Sequence, residues 1–182
     1  MDMIESFDDF DYCPPLVGQQ APDFSGTAFS KAFEGGFGEV SLGDYKGKWL
    51  VLFFYPAAFT GPCNSEVKAF GQRHQEFQAI GAELLGVSGD SKFTLEKLVA
   101  SGEVGDPPYP LLSDSNHHIG VDYRVYVDEA GVNFRGLFII DPEGTLRYQV
   151  VHEPFVARST DETLRVLKAL QTGEICLVDW QP

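Results

Sequence analysis

The chain has 182 residues, enough for one domain with a sizeable core. Thirteen Lys+Arg against 27 Asp+Glu leave a net charge of −14, which repels phosphate backbones and anionic membrane surfaces and makes nucleic-acid binding a poor reading. With 43% hydrophobic and 13% aromatic residues, the composition excludes intrinsic disorder.

The head from Met1 to Cys13 is acidic and lacks the basic start and apolar stretch of a secretory or organelle address, so a cytoplasmic protein is expected. Residues 1–20 are expected to form an N-terminal extension, 21–172 one domain, and 173–182 a C-terminal tail. Ala21-Pro-Asp-Phe24 opens an extended segment that reaches the turn signal Gly35-Gly36, ahead of Val40-Ser-Leu42. Lys48–Tyr55, apolar after its lysine and rich in aromatic and branched residues, reads as a strand buried on both faces. The surrounding apolar stretch, Trp49 to Phe59, is interrupted by Pro56 and is too short to span a bilayer as a helix.

Beyond Pro56, the spacing of Val67, Phe70, Phe77 and Ile80 predicts a helix starting near Cys63. Leu84–Ser88 reads as a second buried strand, and Asp90 as the cap of a helix whose apolar side includes Leu95, Leu98 and Val99. Gly136–Ile140 and Leu146–Val151 flank the turn Asp141-Pro-Glu-Gly144 as an antiparallel hairpin. Ser159-Thr-Asp-Glu162 predicts a capping box before Leu164, Leu167 and Leu170, with Gly173 as the stop. A βαβ unit followed by a hairpin and a packed helix predicts a three-layer α/β sandwich with a mixed sheet, thioredoxin-like in architecture.

Chemistry concentrates between Pro56 and Glu66. Cys63 falls in the first turn of the predicted helix, where unsatisfied N–H groups and the macrodipole stabilise negative charge on sulfur. Thr60, three residues earlier, is placed to present its hydroxyl to that sulfur. Pro56 has no N–H to compete for hydrogen bonds and can shield the site. A buried structural cysteine is the competing reading. His74, His117, His118 and His152 show no metal-ligand spacing and read as surface or capping residues. No dinucleotide, Walker or Gly-x-Ser-x-Gly pattern is present, so no cofactor is expected.

The run Phe53-Phe-Tyr-Pro-x-x-Phe-Thr60-x-x-Cys63-x-x-Glu66 resembles the active-site segment of peroxiredoxins, in particular the alkyl hydroperoxide reductase and thiol-specific antioxidant group. Five further segments follow in that family's order: Leu85-Gly-Val-Ser-x-Asp-Ser91, Pro110-Leu-Leu-Ser-Asp114, Phe134-Arg-Gly-Leu-Phe-Ile-Ile-Asp141, Val156-x-Arg-Ser-x-Asp-Glu162 and Gly173-Glu-Ile-Cys176-x-x-x-Trp180. The likeness runs from about Ala21 to the end. It implies a peroxidase in which Cys63 attacks a hydroperoxide and becomes a sulfenic acid. Thr60, Pro56 and Arg135 complete the site, and Glu66 and Arg158 orient the arginine. Cys176 resembles the resolving cysteine of the typical 2-Cys subgroup, which forms a disulfide with the partner subunit. The implied partners are a hydroperoxide, thioredoxin or an equivalent dithiol reductase, and a second copy in a homodimer that can extend to a decamer. Cys13 has no counterpart in the pattern.

Two departures stand out. Gly61-Pro62-Cys63-Asn64-Ser65 replaces the usual Val-Cys-Pro-Thr, which alters the turn that must unwind before Cys63 reaches Cys176. Ser101-Gly-Glu-Val-Gly105 replaces the Gly-Gly-Leu-Gly of overoxidation-sensitive members, and Cys176-Leu-Val-Asp-Trp180-Gln-Pro182 lacks their following helix, so resistance to overoxidation is expected. A thioredoxin-type exchange protein and a redox-dependent chaperone oligomer remain as alternatives. The first is weakened because no Cys-x-x-Cys pair is present.

Overall fold

The computed structural model describes residues 16–182; Cys13 and the rest of the acidic head lie outside them. Gly35 and Gly36 adopt φ of 71° and 84°, which lets the chain fold Ser25–Phe29 (β1) back on Phe37–Ser41 (β2) as an antiparallel pair. A side chain at Gly36 would meet the Phe29 ring at 2.8 Å, so this turn excludes larger residues by space as well as by conformation.

Trp49–Phe54 (β3) is an interior strand of the sheet. Its odd residues Val51 and Phe53 face one core and its even residues Leu50, Leu52 and Phe54 face another, as the two-residue pleat requires. The strand therefore needs apolar residues throughout, which is why it is legible as a continuous run. Gly61–Gln72 (α1) and His74–Ala79 (α2) connect it to the parallel strand Ala82–Ser88 (β4). Lys92–Ser101 (α3) then leads to Leu111–Ser113 (β5), also parallel to β4. His118–Asp122 (α4) follows, the N–H groups of Ile119 and Gly120 held by the buried Asp114 carboxylate. A small hairpin, Tyr126–Val127 (β6) with Val132–Asn133 (β7), precedes Arg135–Ile140 (β8) and Leu146–His152 (β9), and Thr160–Thr172 (α5) closes the domain.

The seven-stranded sheet runs β2-β1-β5-β4-β3-β8-β9, parallel across β5, β4 and β3 and antiparallel at both flanks. The core on one face takes side chains from α1, α2, α3 and α5. The other takes Ile119 of α4, Tyr123, Val125, Phe24 and Leu16. Leu16 is buried and the Gly18 N–H reaches the Leu146 carbonyl, so the packed domain extends back to the first described residue. Among the described residues, no helix is long and apolar enough to cross a membrane.

Four local expectations differ from the structure. The predicted single helix breaks at Arg73 (φ −103°, ψ 6°), whose guanidinium is drawn to Glu76, Thr160 and Asp161. The cap of α3 is Ser91, which accepts the Thr94 N–H; Asp90 instead accepts the Ala58 N–H from the loop between β3 and α1. Only half of the Ser159 capping box forms, because the Glu162 carboxylate pairs with Arg165 while its N–H bonds the Ser159 hydroxyl. His74 is not on the surface. It is buried beside Tyr109, and burial pushes its pKa down, which favours the neutral ring. Strand β5, three residues long, is too short for periodicity to reveal.

Candidate active site

The parallel strands end where α1 begins, and β8, running the opposite way, starts at the same edge. Thr60 is the extended N-cap of α1 (φ −107°, ψ 143°) and Pro62 lies in the first turn, where a missing N–H costs no helical hydrogen bond. Cys63 is therefore held at the N-terminal end of the helix. It is only 1% exposed and belongs to the core beside Tyr55, Ala58 and Val67.

Arg135, the first residue of β8, is also 1% exposed, and its Nη2 donates to Cys63 Sγ at 3.3 Å. Its Nη1 donates to Glu66 Oε2 at 2.5 Å and its Nε to the Pro154 carbonyl at 2.8 Å. Three differently directed bonds fix the plane of the guanidinium. Glu66 lies three residues after Cys63, on the same face of α1, so one helix presents both the sulfur and the carboxylate to the arginine.

Arg158 completes the arrangement from the loop before α5. Its backbone N–H and Nε donate to Glu66 Oε1 at 2.7 and 2.8 Å, and its Nη2 to Oε2 at 2.9 Å. The remaining donors reach the Gly136 carbonyl at 2.5 Å and the Phe54 carbonyl at 2.8 Å, while the guanidinium lies over the Phe53 ring. Arg158 does not touch Arg135; it acts on it through their shared carboxylate. Burial alone would raise the Glu66 pKa, and the paired guanidiniums of Arg158 and Arg135 overcome that and hold the carboxyl below the ordinary range. Glu66 is thus a stable anion in the interior, and the cluster of two guanidiniums and one carboxylate carries one surplus positive charge beside the sulfur.

Pro56, separated from β3 by Tyr55, is half-buried at one end of the loop that carries Thr60. The Thr60 hydroxyl donates to the Ala57 carbonyl at 3.1 Å rather than to the sulfur, which leaves its lone pairs as acceptors. Sequence reasoning missed the Pro154 carbonyl, since every residue has a carbonyl and no residue type signals this role. It also missed the bond from Asn64 Nδ2 to Glu103 at 2.5 Å, which ties the first turn of α1 to the turn after α3. Asn64→Ala is expected to speed the opening of that turn by about two- to fivefold, a modest effect because the bond is exposed; hydrogen exchange across residues 60–66 measures it.

Cys176 lies beyond α5, half-buried, with its Sγ 3.8 Å from the Ala169 carbonyl. Cys63 and Cys176 are free thiols. Around Cys176, Ile175, Leu177 and Val178 expose their apolar side chains. The Trp180 carbonyl is held by Arg165 at 3.2 Å, which ties the tail to α5.

The sequence pattern described as the AhpC/TSA family matches residues 17–149. The chain is 46% identical over 176 residues to the mitochondrial thioredoxin-dependent peroxide reductase of Drosophila melanogaster, covering 91% of this chain and 73% of that protein. It is 43% identical over 181 residues to the chloroplastic 2-Cys peroxiredoxin BAS1 of Hordeum vulgare, covering 94% and 85%. The crystal structure of the reduced Plasmodium vivax 2-Cys peroxiredoxin superposes with a TM-score of 0.86 at 36% identity over 92% of this chain and 90% of that one. The thioredoxin-like expectation for the fold agrees with that superposition. With the family pattern spanning most of the domain and relatives above 40% identity over more than nine-tenths of its length, this chain belongs to the AhpC/TSA family of peroxiredoxins.

Proposed function

We propose that the protein is a thiol-dependent peroxidase reducing hydrogen peroxide and organic hydroperoxides at Cys63. The observation that carries this reading is the Arg135 guanidinium 3.3 Å from a buried sulfur, in a cluster one negative charge short of neutrality. A Cys63 thiolate supplies that charge. It attacks the terminal peroxide oxygen, forming an S–O bond as the O–O bond breaks, and the departing alkoxide or hydroxide takes up a proton. The products are Cys63 sulfenic acid and an alcohol or water. Arg135 acts mainly on the transition state, where negative charge spreads over the breaking O–O bond. Thr60 accepts the peroxide O–H, Pro56 excludes water, and Glu66 and Arg158 hold the arginine in place.

Resolution is assigned to Cys176 of a second copy: its thiol sulfur bonds to Cys63, and the sulfenic oxygen leaves as water. Thioredoxin or an equivalent dithiol then reduces the disulfide. Strand β9 supports the dimer, because it pairs with β8 on one side only and exposed Val151, Phe155 and Val156 follow along and beyond it. Exposed Phe59 and Phe93, on the loops and helix starts beyond β3 and β4, support a second contact of the kind a ring of dimers needs. A cytoplasmic location is proposed because the free thiols of Cys63 and Cys176 suit a reducing compartment.

Fully reduced protein given one equivalent of hydrogen peroxide is expected to yield a Cys63–Cys176 disulfide between two chains on non-reducing electrophoresis and peptide mapping. Cys176→Ser should still consume one equivalent, accumulate sulfenic acid and lose turnover with the reductase, whereas Cys63→Ser should consume none. A wild-type protein inert to peroxide would sink the proposal.

A further inference from the structure

The loop Pro56–Thr60, which carries the cap of α1, is held from the neighbouring strand. Asp90, just beyond β4, points its Oδ2 at this loop and accepts the Ala58 N–H at 2.7 Å. The same oxygen accepts the hydroxyl of Ser88, a fully buried residue, at 2.9 Å. Ser113 of β5 donates to the Asp90 carbonyl at 2.7 Å, so the backbone of the acid is itself anchored to the sheet. Within the loop, Phe59 adopts φ 60°, a left-handed conformation unfavourable for a bulky side chain. The next residue is the N-cap, and Cys63 follows three positions later.

We infer that Asp90 is a positioning residue that clamps the Cys63 loop shut against the strain at Phe59 and so sets how often the site opens. The inference rests on the peroxidase reading. A sulfur that is 1% exposed reacts with peroxide where Arg135 holds it, but cannot meet a thiol on another chain without leaving that position. Opening must release the loop ahead of α1, and the Ala58–Asp90 bond ties that loop to the end of β4. Two donors converge on one carboxylate oxygen, and an asparagine oxygen in the same place could accept both. Alanine could accept neither.

Losing a hydrogen bond to a charged group shifts the balance toward the open form by about tenfold or more. In Asp90→Ala, amide hydrogen exchange across residues 57–64 of the reduced protein should therefore rise about tenfold relative to wild type. Disulfide formation after one equivalent of peroxide should accelerate by a similar factor, and sulfinic acid per turnover at high peroxide should fall. Asp90→Asn should restore all three toward wild type. Unchanged exchange and disulfide formation in Asp90→Ala would overturn the inference, as would Asp90→Asn behaving like Asp90→Ala. So would a slowing of the peroxide and disulfide steps together with a lowered melting temperature, since that is general damage. If the wild type does not react with peroxide, the peroxidase reading fails and exchange alone still decides whether Asp90 is the clamp.

Discussion

Arg135→Ala is expected to slow the reaction of Cys63 with hydrogen peroxide by about 10²- to 10³-fold, the usual consequence of removing one preorganised donor from a buried transition state. Such a donor is worth more here than in water because both partners are 1% exposed and already aimed, so little reorganisation accompanies the developing charge. Arg135→Lys should recover little of the rate. An ammonium cannot hold Glu66, the Pro154 carbonyl and the sulfur at once, as the planar fork does. Stopped-flow rates of the reduced variants under excess peroxide test this, with melting temperature as the control for folding. A rate within threefold of wild type would remove Arg135 from the chemistry.

Glu66→Ala should cost about 3–5 kcal/mol of stability, because it strands two buried guanidiniums without their shared carboxylate. No other substitution in the site is expected to damage the fold as much, and the loss should appear in urea unfolding at fixed protomer concentration. The same residue makes stability depend on acid. Its pKa in the folded protein lies below the value of about 4.3 expected for an unfolded glutamate. The stabilisation is therefore complete above that unfolded value and is lost as pH falls through the lower, folded one. Wild type should lose stability progressively below about pH 4.5, and Glu66→Gln should flatten that part of the curve. A Glu66→Gln profile parallel to wild type across this range would show that other carboxylates govern it.

Some elements announce themselves locally. β3 and the Leu84–Val87 stretch of β4 are buried on both faces, so they read as apolar runs in sequence as well as in space. The hairpin of β8 and β9 is marked by its Asp141-Pro-Glu-Gly144 turn, and α5 by Ser159 at one end and Gly173, in the left-handed conformation, at the other. The placing of Cys63 at a helix start has the same origin, since Pro56 ends a strand and the helical spacing resumes shortly after. The family resemblance adds Arg135, Glu66, Arg158 and Cys176 as candidates before any geometry is known.

What the amino-acid order could determine was the period of each segment, its ends and the residue types available for chemistry. It could not determine which partners they meet. Glu66 is reached by donors 69 and 92 residues away, and Cys63 by one 72 residues away. Nothing in the local pattern shows that Arg135, charged and at a strand mouth, is buried while His74 is enclosed beside Tyr109. Asp90 has the composition of a helix cap, yet the parallel pairing of β3 with β4 brings the Ala58 N–H within its reach and Ser91 takes the cap. Helix and strand signals arise from neighbours a few positions apart, whereas a carboxylate's partner depends on which strands lie side by side. That is why the sequence could name the nucleophile and its candidate helpers, but only the tertiary structure could decide how they are wired.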